Sequence, residues 1–327
     1  MKMKNIAAIY NICELRNKNT EMYKSHLESL LSQNYPHSNY KIIVSGCGVT
    51  DHTKEVLKQE FKDNIHFVFY NDPYKSSVTF NKTIDVINEN GFSFDEYMYI
   101  ASDINITNKS CFEKINSYSS DEFGIIQFEV DRDCGWKSVS EDTVRNFNVG
   151  NTRYYKSNSP HFTSDVQIKV GYSANLHCLS FNSNIYKFYN KILPDIFYWC
   201  QEPVLPYMAS ALKYKHIIVG NMLLSHLAEQ DRGDLPAANG DPHALMDSKL
   251  TDLSIKDILT DYAKSVGFGF YEFHHKETKC SEYMNHDESL YDENGICKNE
   301  ELKHFIKNTL FSHKNKFDYD SVKYQFS

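Results

Sequence analysis

No stretch of this sequence approaches the roughly 20 consecutive apolar residues that a membrane-spanning helix needs. The eight cysteines are scattered and none pair as CxxC, which excludes a structural zinc motif of the usual spacing. Positive charge is also scarce. A net charge of −8, without Lys/Arg clusters interleaved with aromatics, removes the electrostatic basis for gripping nucleic acid. Nor does a basic, glycine-rich phosphate loop follow the first apolar run, where Asn11-Ile-Cys-Glu14 stands instead. Internal repeats and low-complexity tracts are missing too. The start, Met1-Lys-Met-Lys4 ahead of Ile6, imitates a signal peptide only faintly. Its apolar stretch is short and has no small-residue cleavage site, so it reads as a first buried strand.

What the chain does have is enough apolar material for a real core. Hydrophobic residues make up 41% and charged residues 24% of 327 positions, the balance of an ordinary globular protein. Aromatics reach 14%; most belong to the core, and a ring with a polar tip can also stack on a sugar. Cysteines scattered through a chain of this size read as reduced thiols, which fits a cytoplasmic protein.

Two periodicities alternate through the first hundred residues. Ile6 to Tyr10, Lys41 to Val44, Ile65 to Tyr70 and Tyr97 to Ile100 are short apolar runs of strand type. Between them, Tyr23, Leu27, Leu30 and Leu31 recur at helical spacing, as do Val56, Leu57 and Phe61, and then Phe80, Ile84 and Ile87. Asp51 or Thr53 suits the cap of the second of these helices. Such alternation predicts a mostly parallel sheet flanked by helices, with ligands bound beyond the carboxyl ends of its strands. The segment Ser102-Asp103-Ile104-Asn105 follows the fourth strand directly, at that end. Further on, strands are expected near Ile125–Val130, Val166–Val170 and His216–Val219, and helices over Phe181–Leu193 and from Glu202-Pro203 through Leu212. Asp142 to Pro160 reads as a long loop. Past Gly240 the alternation fades into polar helices. This divides the chain into an α/β unit at 1–240 and a mainly helical extension, 241–327, on or beside it.

Several segments resemble glycosyltransferase family 2 enzymes of GT-A fold. They are Leu30-Leu-Ser-Gln-Asn-Tyr-Pro36, Ile42-Ile-Val44, Gly48-Val-Thr-Asp-His-Thr53 and Ser76-Ser-Val-Thr-Phe-Asn-Lys-Thr-Ile84. Asp103-Ile-Asn105 stands where that family has its Asp-x-Asp metal motif. Trp199-Cys-Gln-Glu202 looks like the segment holding its catalytic carboxylate, and Ser225-His226 like a frequent metal-binding histidine. The resemblance spans about residues 5 to 230. It implies a nucleotide-sugar donor, a UDP-sugar first, a glycan or lipid-linked sugar acceptor, and Mn2+ or Mg2+ as cofactor. It also implies Asn11, Asp51, Asn81, Ser102 and Asp103 around the donor.

The residues suit that chemistry on their own terms. A departing diphosphate carries negative charge that a divalent cation offsets, and Mg2+ or Mn2+ takes carboxylate, amide and water oxygens, manganese also imidazole. Asp103, Asn105 and His226 offer such a set. Glu202 is a carboxylate able to take the acceptor's proton. Plainer readings stay open: an Asp after a strand is a common turn residue, Glu202 before Pro203 suits a helix N-terminus, and His226 suits a core or surface position. Arg232, in the loop Asp231 to His243, has the geometry to meet a phosphate, and equally that of a solvated loop arginine. His274-His275 read as surface.

The chain departs from the family at Ser45-Gly46-Cys47, where members often carry an acidic pair that reads the base, and at Asn105, which lacks the second carboxylate's charge. The expectation is an inverting, metal-dependent glycosyltransferase, in the cytoplasm or at the inner face of a membrane. The rivals are a sugar-phosphate nucleotidyltransferase and an inactive carbohydrate-binding homologue. Neither the donor sugar nor the oligomeric state is legible.

Overall fold

The structure is a computed structural model. It describes residues 2–13, 20–70, 76–132, 164–168, 176–193, 201–226, 270–276, 279–285, 289 and 291–310. Nine strands form one sheet: β1 (Ile6–Cys13), β2 (Tyr40–Cys47), β3 (His66–Tyr70), β4 (Glu96–Ala101), β5 (Ile104–Asn105), β6 (Phe123–Arg132), β7 (Val166–Ile168), β8 (Cys178–Asn182) and β9 (Lys215–His226). Their order is β3-β2-β1-β4-β8-β6-β9-β5, with β7 pairing β9 off that path. β1 pairs in parallel with β2 and β4, and β2 with β3. β8 is antiparallel to both β4 and β6, and β6 is parallel to β9. Strands β1 to β4, β6 and β9 therefore all point the same way and share one carboxyl edge.

Helices cover both faces because the strands are apolar on both. On β1, Ile6, Ala8, Tyr10 and Ile12 face α1 (Thr20–Leu31), α2 (Asp51–Phe61) and α4 (Cys111–Ser117), joining Leu27, Leu57 and Phe112. Ala7 and Ile9 alternate to the other face. There they join Phe80 and Ile84 of α3 (Ser76–Glu89), Ile185 of α5 (Ser183–Tyr189), and Leu205 and Met208 of α6 (Gln201–Ala211). Strands buried on both faces read as continuous apolar runs, which is why β1 to β4 were visible in the sequence. Cys47, Cys111, Cys178 and Cys297 are buried free thiols.

Three details differ from the sequence reading. Thr50, rather than Asp51 or Thr53, caps α2: its hydroxyl accepts from the Thr53 amide at 3.3 Å. Phe181 belongs to a strand, β8, and the helix begins only at Ser183, with Asn182 as its N-cap. The run Cys178–Asn182 is so short that its pattern merges with the helix after it, an ambiguity that periodicity alone does not resolve. Finally, β9 runs past Val219 to His226. Its pairing with β6 jumps from Phe128↔Val219 to Glu129↔Leu223, so extra residues bulge out at 220–222 and the strand bends.

Gly220 sits in that bulge for a steric reason. A Cβ there would lie 2.1 Å from the Ser164 carbonyl oxygen, while its own amide donates to Asp165 Oδ1 at 2.8 Å. Asp165 is in turn held by Lys114 Nζ at 2.6 Å and by the Tyr118 hydroxyl.

The C-terminal extension contains a hairpin, β10 (Phe270–Lys276) with β11 (Lys279–Asn285), which the fading periodicity did not announce. His274-His275 lies on β10. Tyr291, Cys297, Leu302 and Ile306 enter the same core as α3, α5 and α6, with Leu302 on the short helix α7 (Glu301–Phe305). Ser210 of α6 joins the two parts, donating to the Gly295 carbonyl at 2.8 Å and accepting from the Cys297 amide at 2.7 Å.

Replacing Gly220 with Ala forces the new methyl against the Ser164 backbone. Overpacking of this kind costs about 1–3 kcal/mol, so urea unfolding of Gly220→Ala should show a lowered midpoint. A glycine elsewhere on the surface, such as Gly91, where an added Cβ meets nothing within 4 Å but φ is +79°, should cost only the strain of its left-handed backbone.

Candidate active site

The turn after β4 is where the carboxyl edge becomes a site. Ser102 and Asp103 make the turn, and β5 then pairs antiparallel with the bent end of β9. The register sets Ile104 against His226 and Asn105 against Ser225. On its other side, β9 sets Ser225 against Asp131 and His226 against Arg132. Ser225 and His226 thereby lie one strand spacing from β5, and Asp131 and Arg132 one strand further, on β6. The side chains of His226, Asp131 and Arg132 lie outside the described residues. Sequence reasoning missed Asp131 and Arg132 because it ended β6 at Val130; the signal was the continuing strand.

Asp103 is half-buried, and Asn105 beside it has a buried side-chain carbonyl oxygen, Oδ1, with no hydrogen-bond partner among the described residues. A buried amide oxygen left unpaired is costly, and a cation is one thing that would satisfy it. An all-oxygen donor pair of one carboxylate and one amide fits a hard divalent ion, which binds through one or two protein groups and completes its shell with water and phosphate. Among the described residues there is no group of three or more His, Cys, Asp or Glu side chains converging on one point.

The turn is held from beneath. The Tyr10 hydroxyl, on β1, donates to the Ser102 carbonyl at 2.5 Å and lies 2.9 Å from His26 Nδ1, on α1. His26 Nδ1 is itself 3.2 Å from the Ser102 carbonyl. Burial pushes the Tyr10 phenol well above its ordinary value, with the charges of Tyr23 and Asp103 adding to the rise. Burial likewise lowers the His26 imidazole, against the opposing pull of the Ser102 carbonyl and Asp103. Both groups are therefore neutral at pH 7.

Asn11 lies near the end of β1, paired with Ser45 of β2 and, as the last residue of that ladder, with Ala101 of β4. Its Nδ2 donates to the carbonyls of Ile9 at 3.0 Å and Ile100 at 3.3 Å, and its buried Oδ1 has no hydrogen-bond partner among the described residues. Asp51 opens α2 near the same edge, exposed and paired with Lys54 at 3.0 Å.

Ser45 and Gly46, which replace the expected acidic pair, are both committed to packing. Ser45 is fully buried and accepts from Thr83 at 2.9 Å, which also meets the Tyr70 hydroxyl at 2.9 Å. A side chain at Gly46 would strike the Phe69 ring at 2.5 Å and Val49 at 2.8 Å. An acid at 46 has no room.

Asn81 faces inward. Its Oδ1 accepts from the amides of Ile192 and Leu193 at 3.0 and 3.1 Å, and its Nδ2 donates to the Leu193 carbonyl at 2.6 Å. The expectation that Asn81 lines a nucleotide pocket meets a side chain whose oxygen and amide both grip backbone. α3 carries it toward that segment because Phe80 and Ile84 must face the core.

Glu202 falls in the first turn of α6; its side chain lies outside the described residues, as does Arg232 altogether. The topology nonetheless sets the end of α6. Ala211, at its C-terminus, leads within a short turn to the start of β9, so α6 runs against β9. With 11 residues it covers about 16 Å, and its first turn lies toward the carboxyl edge, the edge that carries Asp103.

No protein-family model matches this chain, and no curated protein matches it. Solved structures do. GalNAc-T7 with UDP, GalNAc and Mn2+ superposes with a TM-score of 0.51 at 9% identity, over 70% of this chain and 45% of that one. The fold is of GT-A type. Two further structures align less well. The mannosyltransferase PcManGT from Pyrobaculum calidifontis, in complex with GDP-Man and Mn2+, gives a TM-score of 0.49 at 10% identity, over 71% of this chain and 59% of that one. S. aureus TarS 1–349 gives 0.41 at 12% identity, over 69% and 58%. This chain thus spans between 45% and 59% of the length of these three structures. At such identities the likeness concerns the path of the chain, and the chemistry has to come from the residues.

Asn81→Leu strands two buried amides and a carbonyl at 192–193. Each unsatisfied group costs about 1–3 kcal/mol, so the variant should unfold at clearly lower urea. Loss of less than about 1 kcal/mol would mean that water replaces the asparagine.

Proposed function

We infer that this protein is an inverting, metal-dependent glycosyltransferase that moves a sugar from a nucleotide-sugar donor to a hydroxyl of a glycan or lipid-linked acceptor. The observation that carries the reading is the pairing of β5 with the end of β9, which sets His226 beside Ile104 and hence next to Asp103 at the carboxyl edge. The topology that directs the first turn of α6 to the same edge supports Glu202 as the second carboxylate. UDP is the preferred nucleotide and Mn2+ the preferred ion, in keeping with the contents of the GalNAc-T7 structure.

In this reading Asp103 and Asn105 hold the metal and diphosphate, with His226 completing the set. The ion would offset the charge that builds on the diphosphate as it leaves. Glu202 takes the proton from the acceptor hydroxyl while that oxygen bonds to the anomeric carbon, on the face opposite the breaking bond to the diphosphate. Asn11, with its open Oδ1, suits a hydrogen-bond donor on the nucleotide; with Ser45 and Gly46 packed away, base recognition falls to Asn11 and Asp51. Ser102 lines the same turn, and Arg232 is available to a phosphate. Among the described residues no helix is long and apolar enough to cross a membrane. A cytoplasmic setting, with peripheral contact where the acceptor is lipid-linked, belongs to the same proposal.

Glu202→Gln should lower kcat by about 10²–10⁴-fold while leaving the thermal shift with Mn2+ and UDP-sugars intact, since donor binding stabilises the native state by mass action. Unchanged turnover would remove Glu202 from the role of base. Pyrophosphate release from a sugar phosphate and a nucleoside triphosphate would favour a nucleotidyltransferase instead, and a wild-type protein that shifts with no donor would favour a binding protein without activity.

A further inference from the structure

The carbonyl of Ser102 is the most heavily held group at the site. It receives the Tyr10 hydroxyl at 2.5 Å and stands 3.2 Å from His26 Nδ1. A carbonyl oxygen only accepts, so the contact requires His26 to carry its proton on Nδ1. The same proton is shared with the Tyr10 oxygen at 2.9 Å. With that tautomer, the Tyr10 hydroxyl and the His26 Nδ1–H both donate to the Ser102 carbonyl.

Neither side chain has an evident packing reason to be polar. Tyr10 is completely buried and His26 is 1% exposed, both amid apolar neighbours of the α1 face. The Tyr10 ring also meets Tyr23 and His26 edge-on, with centroids 6.3 and 6.0 Å away. A Phe at 10 and an apolar residue at 26 would fill the space with less desolvation. What the polar atoms do is fix one peptide plane, that between Ser102 and Asp103. Because a trans peptide is rigid and its C=O and N–H point oppositely, clamping the carbonyl sets the direction in which the backbone enters Asp103, and with it the base of the Asp103 carboxylate.

We propose that Tyr10 and His26 are positioning residues for the metal and diphosphate site, acting through the Ser102 carbonyl to hold Asp103 and Asn105 at a fixed separation from the end of β9. This rests on the glycosyltransferase reading above. The turn otherwise has a free choice: a two-residue link between β4 and a two-residue strand, β5, offers little backbone pairing of its own. An ion site needs its ligands placed to within a fraction of an ångström before the ion arrives, and ligands supported by surrounding hydrogen bonds meet that requirement.

The test is Mn2+ binding in the presence of UDP and, separately, GDP, followed by calorimetry and by the electron paramagnetic resonance of the bound ion. Tyr10→Phe keeps the ring and loses the hydroxyl. His26→Leu loses the Nδ1 donor, and His26→Asn restores an N–H near the same place. Tyr10→Phe and His26→Leu should weaken Mn2+–nucleotide binding by about 3- to 10-fold, with His26→Asn recovering most of the loss. Binding by Tyr10→Phe and His26→Leu equal to wild type, or a His26→Asn variant no better than His26→Leu, overturns the proposal. Should a variant fail to fold, ¹⁵N-resolved NMR of the wild-type imidazole decides: a proton on Nδ1 supports the clamp, and one on Nε2 alone removes it. If the wild-type protein itself binds no Mn2+ with either nucleotide, the donor-binding reading fails first and this inference goes with it.

Discussion

Two residues of backbone pairing, Ile104 and Asn105 against Ser225 and His226, bring the turn at Asp103 to the end of β9 at the carboxyl edge. Everything that makes the contact reachable serves a strand that must bend. The bulge at 220–222 supplies the extra length, and Gly220 supplies the room for Ser164 and Asp165 to press against it. Lys114 and Tyr118 hold Asp165 in place from α4 and the residue just after it.

The opposite edge of the sheet is built differently. There Lys4 and Glu96 form an ion pair at 2.7 Å, buried on both sides, and Ser180 adds a hydrogen bond to Glu96 at 2.9 Å. Burial raises the Glu96 carboxyl, while Lys4 and the hydroxyls around it pull it down. A pair of this kind is satisfied internally, and it ties β4 to β8 and to the start of β1. At the carboxyl edge, Asn11 and Asn105 keep oxygens without hydrogen-bond partners among the described residues. Open oxygens at that end fit the rule for open α/β sheets, in which ligands collect beyond the carboxyl ends of the strands.

The first four strands and three helices could be read directly, because each is a short apolar run or a one-sided helical stripe set off by Pro36, Asp72-Pro73 and Asn90-Gly91. Beyond residue 119 the signal weakened for a physical reason. β8 is only five residues long and flows into α5, so that one apolar stretch serves two elements. β9 looked complete at Val219 since a bulge leaves no mark in composition. Among the candidate site residues, Asp103 and Asn105 were legible from their place after a strand. Asn81 was legible as a helix residue, but its partners at 192–193 lie more than a hundred positions away, a separation no local pattern encodes. Tyr10 was read only as the end of a strand and His26 was not singled out; both are buried in the core. Their polar atoms become meaningful only beside the Ser102 carbonyl.

By itself, then, the sequence determined the alternation of strand and helix, the double-sided apolar character of the central strands, and hence a mostly parallel sheet with its chemistry at one edge. Those are properties of short windows, where side-chain periodicity and turn residues act within a few positions of each other. Which residues meet at that edge was decided by tertiary structure alone. The order β4-β8-β6-β9-β5 joins segments from five parts of the chain, and the bend of β9 is set by the contact of Gly220 with a backbone some 55 residues earlier. Hydrogen bonds and close packing act over a few ångströms of space without regard to distance along the chain, so these residues meet only once the strands are in register.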